Sequence, residues 1–331
     1  MAISKRKENM TIEEDEAINF VTAPYMLETV KNMSFIPIEI DHEEVKKEVN
    51  KIFERLNSPY LIGCYTHINN EEYHSLKDYI SRSAIMDYAR SPYTYWAKHL
   101  NPNRPKIEPT PAMIFGTAFH TLMLEPDLFD KKYIVKKPPV LLKEVGKKAY
   151  EEYKKYVSEF EDAGKTLLSS EDGERLWAMQ AVFNRNTQAK GLSEGAQYET
   201  SYFWQDRDSG LMLKARPDIL HENMIIDLKT CSDASPRAFQ NSMVANGYHV
   251  QGAMIRDGVE AIQGRRIDNV INICIETKYP FNMAIYVIEN GAIDEGERKY
   301  KDILLALKTD INDNDFSDYG VQQIGLPKWA I

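Results

Sequence analysis

The chain has 331 residues, 43% of them hydrophobic, 27% charged and 11% aromatic, with a formal charge of −9 and a pI near 5.4. That length can bury one substantial core, and the acidic balance argues against a protein that coats nucleic acid by bulk electrostatics, though not against an enzyme gripping a few phosphates through a local patch. No apolar run reaches bilayer-spanning length and MAISKRKENMTIEEDEAINF lacks the apolar core of a signal peptide, so a cytoplasmic protein without membrane attachment is expected.

Residues 1–20 are polar and charged. Over 41–56, Val45, Val49, Ile52, Phe53 and Leu56 recur at helical spacing and predict one amphipathic helix. SRSAIMDYARSPYTYWAKHL (81–100) predicts a helix capped by Ser81 or Ser83, a break at Ser91-Pro92, and a second, aromatic helix. PTPAMIFGTAFHTLMLEP (109–126) is bounded by prolines and leaves little polar surface, which predicts a buried helix. Gly116 inside it costs helix stability, and is expected to admit a close backbone neighbour.

From Lys131 to Lys155 there are nine lysines (131, 132, 136, 137, 143, 147, 148, 154 and 155) against three glutamates, the composition of a solvated helix face or of a phosphate-facing patch. After a helical stretch over roughly 144–192, three runs read as strands: 198–205, 210–220 and 223–230. Turn-like residues at 206–210 and 221–223 join them into an expected antiparallel meander. Residues 236–257 return to helical spacing, two strand-like runs follow at 269–276 and 281–289, and a last helix is expected around 294–308. The order predicts a mixed α/β fold, a central mixed sheet flanked by helices.

Chemistry concentrates on the second and third strand runs. With side chains alternating along a strand, Asp227 and Lys229 share one face while Ile226 and Leu228 point into apolar packing. A tight hairpin would bring Asp218, at the end of the preceding run, beside Asp227. Two converging carboxylates make a hard-oxygen site for Mg²⁺, and a lysine one step along can hold an attacking water or offset charge on a phosphate. An isolated Asp-x-Lys triplet is more often a solvated ion pair. Here it lies in the run Met224, Ile225, Ile226, Leu228, where charge is costly unless paired or metal-bound. His120 in its apolar helix, and Tyr248 with Gln251 three apart on the later helix, could reach the same spot or serve only their own helices. Cys64, Cys231 and Cys274 lie far apart with no CxxC pair, so neither a zinc knuckle nor a disulfide framework is suggested.

In order, GTAFHTLMLEP, KARPDIL, IIDLKT and GYHVQGA resemble the motifs of the RecE-type exonucleases (the exonuclease VIII nuclease domain). These belong to the PD-(D/E)XK superfamily with the RecB nuclease domain and lambda exonuclease. SRSAIMDYARSPYTYW and the terminal LPKWA resemble the flanks of that domain. The likeness runs over about 71–331 and leaves 1–70 as an N-terminal extension of unassigned role. It implies His120, Asp218 and Asp227 as metal ligands, Lys229 as the catalytic lysine, and Gln251 with Tyr248 as the motif of the following helix. Glu199 is a weaker site candidate. Lys214, Arg216, Lys136 and Lys137 are the expected DNA-binding cations.

The implied activity is processive 5′-to-3′ digestion of one strand of linear duplex DNA with Mg²⁺, or Mn²⁺ in its place. It leaves a 3′ single strand for recombination and for an annealing protein, in a setting that includes phage. Relatives form closed rings on DNA, and a ring would let an acidic subunit hold DNA through channel-lining cations. Three cysteines disfavour the iron–sulfur RecB-like variants, which need four. A structure-specific or restriction-type endonuclease would use the same residues, and a catalytically inactive DNA-end binder would keep the fold without the chemistry.

Overall fold

The computed structural model describes residues 60, 62–106, 108–136, 142–161 and 164–326. The helix expected over 41–56 lies outside them. Strand β1 (Gly63–Tyr65) and helix α1 (Asn70–Ser75) come first. Helix α2 (Arg82–Arg90) has Ser81 at its N-cap, and α3 (Pro92–Tyr95) starts where Ser91 caps it and Pro92 breaks the chain. The aromatic segment then ends in a π-helical turn, Trp96–Leu100, instead of a regular helix. The buried helix is α4 (Pro111–Leu124), N-capped by Thr110, whose hydroxyl accepts the Met113 N–H. Helix α5 (Pro126–Lys132) and strand β2 (Tyr133–Val135) lead to α6 (Leu142–Glu161).

Strand β3 (Thr166–Leu168) pairs parallel with β2 inside the stretch expected to be helical, because three residues are too few to show a period. Helices α7 (Ser170–Arg185) and α8 (Thr187–Ser193) follow.

The expected three-strand meander is replaced by two sheets that exchange strands. The first run splits into β4 (Gln197–Tyr198) and β5 (Ser201–Gln205), the second into β6 (Met212–Ala215) and β7 (Ile219–Leu220). Strands β5 and β6 pair with each other and with β1, whereas β4 and β7 join β8 (Met224–Cys231). Both breaks have local causes. Glu199 takes a left-handed φ of 49°, which ends a strand, and Pro217 has no N–H to give to a ladder.

The 236–257 helix is likewise two, α9 (Pro236–Asn246) and α10 (Tyr248–Gln263), separated by Gly247 at φ 66°. Strands β9 (Asn269–Glu276) and β10 (Met283–Ile288) and helix α11 (Asn290–Asp313) complete the chain's elements. The main sheet has the order β10-β9-β8-β7-β4, with β8 and β9 parallel and the other pairs antiparallel. It is the central mixed sheet that the sequence predicts.

Period-two alternation divides the core between its faces. Ile226 and Leu228 of β8, with Ile271, Ile273 and Ile275 of β9, pack under Phe115 and Phe119 of α4 and Leu176 and Met179 of α7. Ile225 and Val270 face the other way, onto Val250, Ala253 and Met254 of α10 and Tyr300 and Leu304 of α11. A smaller aromatic cluster of Tyr60, Tyr73 and Tyr79 closes over Phe203 of β5, so the described part of the segment before residue 71 packs into the body of the molecule.

Two glycines show opposite uses. A Cβ on Gly296 would lie 2.5 Å from the His249 carbonyl oxygen and 2.9 Å from the Val250 nitrogen, so α11 crosses α10 at backbone contact. A Cβ on Gly116 would meet nothing within 4 Å, so the close neighbour expected there is absent: its side of α4 opens on a cavity. Gly296→Ala should therefore cost about 1–3 kcal/mol through overpacking, and Gly116→Ala should gain up to about 1 kcal/mol from helix propensity. Urea denaturation of both variants checks this as shifts of midpoint in opposite directions.

Candidate active site

The register of β7 on β8, Ile219 against Ile226, sets Asp218 opposite Asp227. Both carboxylates are buried, 8% and 3% exposed, in a position where charge needs compensation. Asp218 Oδ2 accepts the backbone N–H of Leu228 at 2.7 Å, which locks it across the hairpin. Asp227 and Lys229 share the face of β8 turned toward α10. There Gln251 Nε2 donates to Asp227 Oδ1 at 2.7 Å, and Lys229 Nζ donates to Gln251 Oε1 at 3.0 Å. The Lys229 ammonium also pairs with Asp227 Oδ2 and lies 4.5 Å from the centre of the Tyr248 ring. Tyr248 and Gln251 thus reach the same lysine from one helix face.

His120 approaches from the opposite layer, on α4, with Nδ1 3.4 Å from Asp218 Oδ1. The short strands β7 and β4 leave the sheet edge thin here, so helices from both faces meet at one point. Glu199 completes this side. One ligand atom from each of His120, Glu199 and Asp218 lies within 4.8 Å of the others. The weaker candidate therefore belongs to the group, while Asp227 stands outside it, its carboxylate held by Lys229 and Gln251. The signal for Glu199 was faint because its placement depends on a strand break and not on spacing.

The electrostatics are those of crowded, buried acids. Burial and the neighbouring Asp218 carboxylate push Asp227 up, with Lys229 opposing. Burial, then Asp218, raise Glu199 to about 7 against the pull of Arg216. For Asp218 burial acts upward, but the His120 imidazole and Lys229 outweigh it and hold the acid below its ordinary value. Burial would lower His120, yet the Asp218 carboxylate beside it prevails and lifts it to about 9. Two carboxylates and an imidazole, brought within reach of one another, form a donor set that fits a divalent cation. The oxygen donors suit Mg²⁺, and the imidazole widens the set to Mn²⁺.

The expected DNA-binding cations divide. Lys214 is 4% exposed, and its Nζ donates to the carbonyls of Tyr73 and Leu76 at 2.6 and 2.7 Å. Alternation along β6 turns it toward α1, where it braces backbone instead of presenting charge to DNA. Arg216 is also buried, paired with Glu199 at 2.6 Å. Lys136 follows β2, half-buried, with its backbone N–H on Leu168 O, and Lys137 lies outside the described residues. Lys214 and Arg216, together with Arg82 and with Lys132 of the lysine-rich stretch, line the cavity of about 750 Å³ whose lining includes His120, Glu199 and Asp218.

Residues 81–320 match the family described as a PDDEXK-like domain of unknown function (DUF3799). No curated protein matches the chain. Among solved structures, a protein from Eubacterium rectale described as a "putative exonuclease" superposes with a TM-score of 0.51 at 14% identity, over 74% of this chain and 88% of that one. At such identity the likeness concerns the fold, and it agrees with the mixed sheet and its two helical layers. Since the family match spans well over half of the chain and encloses every charged residue of the site, the chain belongs to the PDDEXK-like family DUF3799.

Proposed function

We propose that this protein is a metal-dependent DNA exonuclease. The observation that carries the reading is the grouping of His120, Glu199 and Asp218 on a cavity wall, with Asp227, paired to Lys229, opposite Asp218 on the neighbouring strand. His120, Glu199 and Asp218 would hold the cation, with Asp227 beside them. A bound Mg²⁺ or Mn²⁺ supplies a water of lowered pKa and neutralises phosphate charge. Asp227, Gln251 and the Tyr248 ring hold the Lys229 ammonium in one orientation, where it can hold the attacking water or balance charge developing on the scissile phosphate. Arg82 and Lys132 add positive charge to the wall that a DNA strand would follow. Resemblance to RecE-type enzymes supports the finer reading: 5′-to-3′ digestion of linear duplex ends, a ring-shaped homo-oligomer, and hand-over of the 3′ strand to an annealing protein in recombination.

Linear duplex labelled at one 5′ or one 3′ end should be shortened from the 5′ terminus only when Mg²⁺ or Mn²⁺ is present. Covalently closed circles should stay intact, and nicking or linearisation of them would favour an endonuclease. Lys229→Ala and Asp218→Asn should each lower the rate by at least about 10²-fold. Wild-type rates in Lys229→Ala would reject Lys229 as the catalytic lysine, and absence of metal-dependent hydrolysis in the wild type would leave only a DNA-end binder.

Metal binding and proton release should be linked. At pH 7 His120, raised to about 9, carries a proton that a ligand must lose, and Glu199, raised to about 7, carries part of one. Affinity for Mn²⁺ should therefore rise with pH from 6 toward roughly 9, with about one proton or more released per ion near neutrality. Calorimetry in buffers of different ionisation enthalpy reads that number directly, and proton uptake would contradict the assignment.

The two aspartates should also differ in metal-free stability. Asp227→Asn relieves repulsion from Asp218 and should hold or raise the thermal midpoint. Asp218→Ala strands the buried Leu228 N–H and should cost about 1–3 kcal/mol. Thermal denaturation in chelator checks the pair, and a large loss in both would identify structural ion pairs.

A further inference from the structure

We propose that Arg216 is a positioning residue for Glu199, anchored in turn by residues 62–80, so that this segment ahead of the family match is a working part of the cation site. The inference rests on the reading of Glu199 as a cation ligand given above.

Four contacts of the guanidinium carry it. Arg216 Nε donates to the Glu199 backbone carbonyl at 2.9 Å and lies 2.6 Å from Glu199 Oε2, so one N–H fixes both ends of the same residue. Nη2 donates to the Ile68 carbonyl at 3.0 Å, and the guanidinium carbon stands 5.4 Å from the Tyr73 ring centre. The side chain is 8% exposed, which keeps water from competing for these contacts. Nη1 is buried with no hydrogen-bond partner among the described residues. An arginine that leaves a buried donor unmet while fixing an acid at a candidate site suits a role in that site.

Glu199 has need of such support. It occupies a left-handed backbone conformation between two sheets, with its N–H on the Asp218 carbonyl at 3.2 Å. A glutamate has several rotatable bonds, and holding its carboxylate beside Asp218 before an ion arrives requires both a counter-charge and a fixed geometry. Arg216 supplies both. Its own base is rigid. Period two along the chain puts Lys214 on the same side, bonded to the Tyr73 and Leu76 carbonyls and 4.6 Å from the Tyr73 ring. Tyr60, Tyr73 and Tyr79 pack on Phe203 beneath. The path from Ile68 and Tyr73 through Arg216 to Glu199 is therefore continuous.

The test is Mn²⁺ binding to the full chain, by calorimetry and by electron paramagnetic resonance, for wild type, Arg216→Met, Glu199→Gln and the double variant. Arg216→Met should weaken Mn²⁺ by roughly 10- to 100-fold, the usual effect of losing a partner behind a ligand. In the Glu199→Gln background the same change should add less than about twofold, since the residue it acts through has already been disabled. Equal losses in both backgrounds, or unchanged or tighter binding in Arg216→Met, would overturn the proposal. If Arg216→Met does not fold, Arg216→Lys replaces it in the same cycle. Its shorter, single-pronged cation should also weaken Mn²⁺ only where Glu199 is intact. Failure of the underlying reading looks different: Glu199→Gln itself would then bind Mn²⁺ as wild type does, which rejects Glu199 as a ligand and the proposal with it.

Discussion

Compensation of buried charge at the edge of the main sheet governs this molecule. Three carboxylates, an imidazole and an ammonium occupy one spot between two apolar layers, and none could remain ionised there alone. Each is answered by a specific partner: the Leu228 N–H and His120 for Asp218, Lys229 and Gln251 for Asp227, and Arg216 for Glu199. These partners come from β8, α4, α10 and the turn before β7, so the charges can meet only when all of these elements are packed.

The fold serves that requirement through its asymmetry. Strands β8 and β9 are eight residues each and carry the core on both faces, whereas β7 and β4 are two residues each. A long central pair provides rigidity. The short outer pair leaves room for His120 from one helical layer and Gln251 from the other to converge at the edge. The left-handed backbone of Glu199 and the missing N–H of Pro217, which shorten β4 and β7, also hand β5 and β6 to a second sheet. That sheet ties in the segment before residue 71 through β1 and through the aromatic cluster on Phe203.

Within this acidic chain the cations nearest the site have specific places. Much of the positive charge nearest the acids is internal: Lys214 and Arg216 are spent on backbone carbonyls and on Glu199. Arg82, whose Nη1 donates to the Asn246 carbonyl, and Lys132 line the same cavity.

Local periodicity by itself determined the kinds of element, the central mixed sheet between helices, and the shared face of Asp227 and Lys229 opposite Ile226 and Leu228. Those features depend on neighbours a few residues apart. It left open whether His120 and Gln251 reach that face or serve only their own helices, and the ordered motifs around them resemble those of a nuclease family. Only the tertiary structure decided that Glu199 groups with His120 and Asp218 while Asp227 turns to Lys229, that Lys214 and Arg216 face inward, and that the expected meander divides between two sheets. The physical reason is that these outcomes are contacts between residues from 68 to 251, settled by which buried charge finds which partner, and no spacing along the chain encodes that choice.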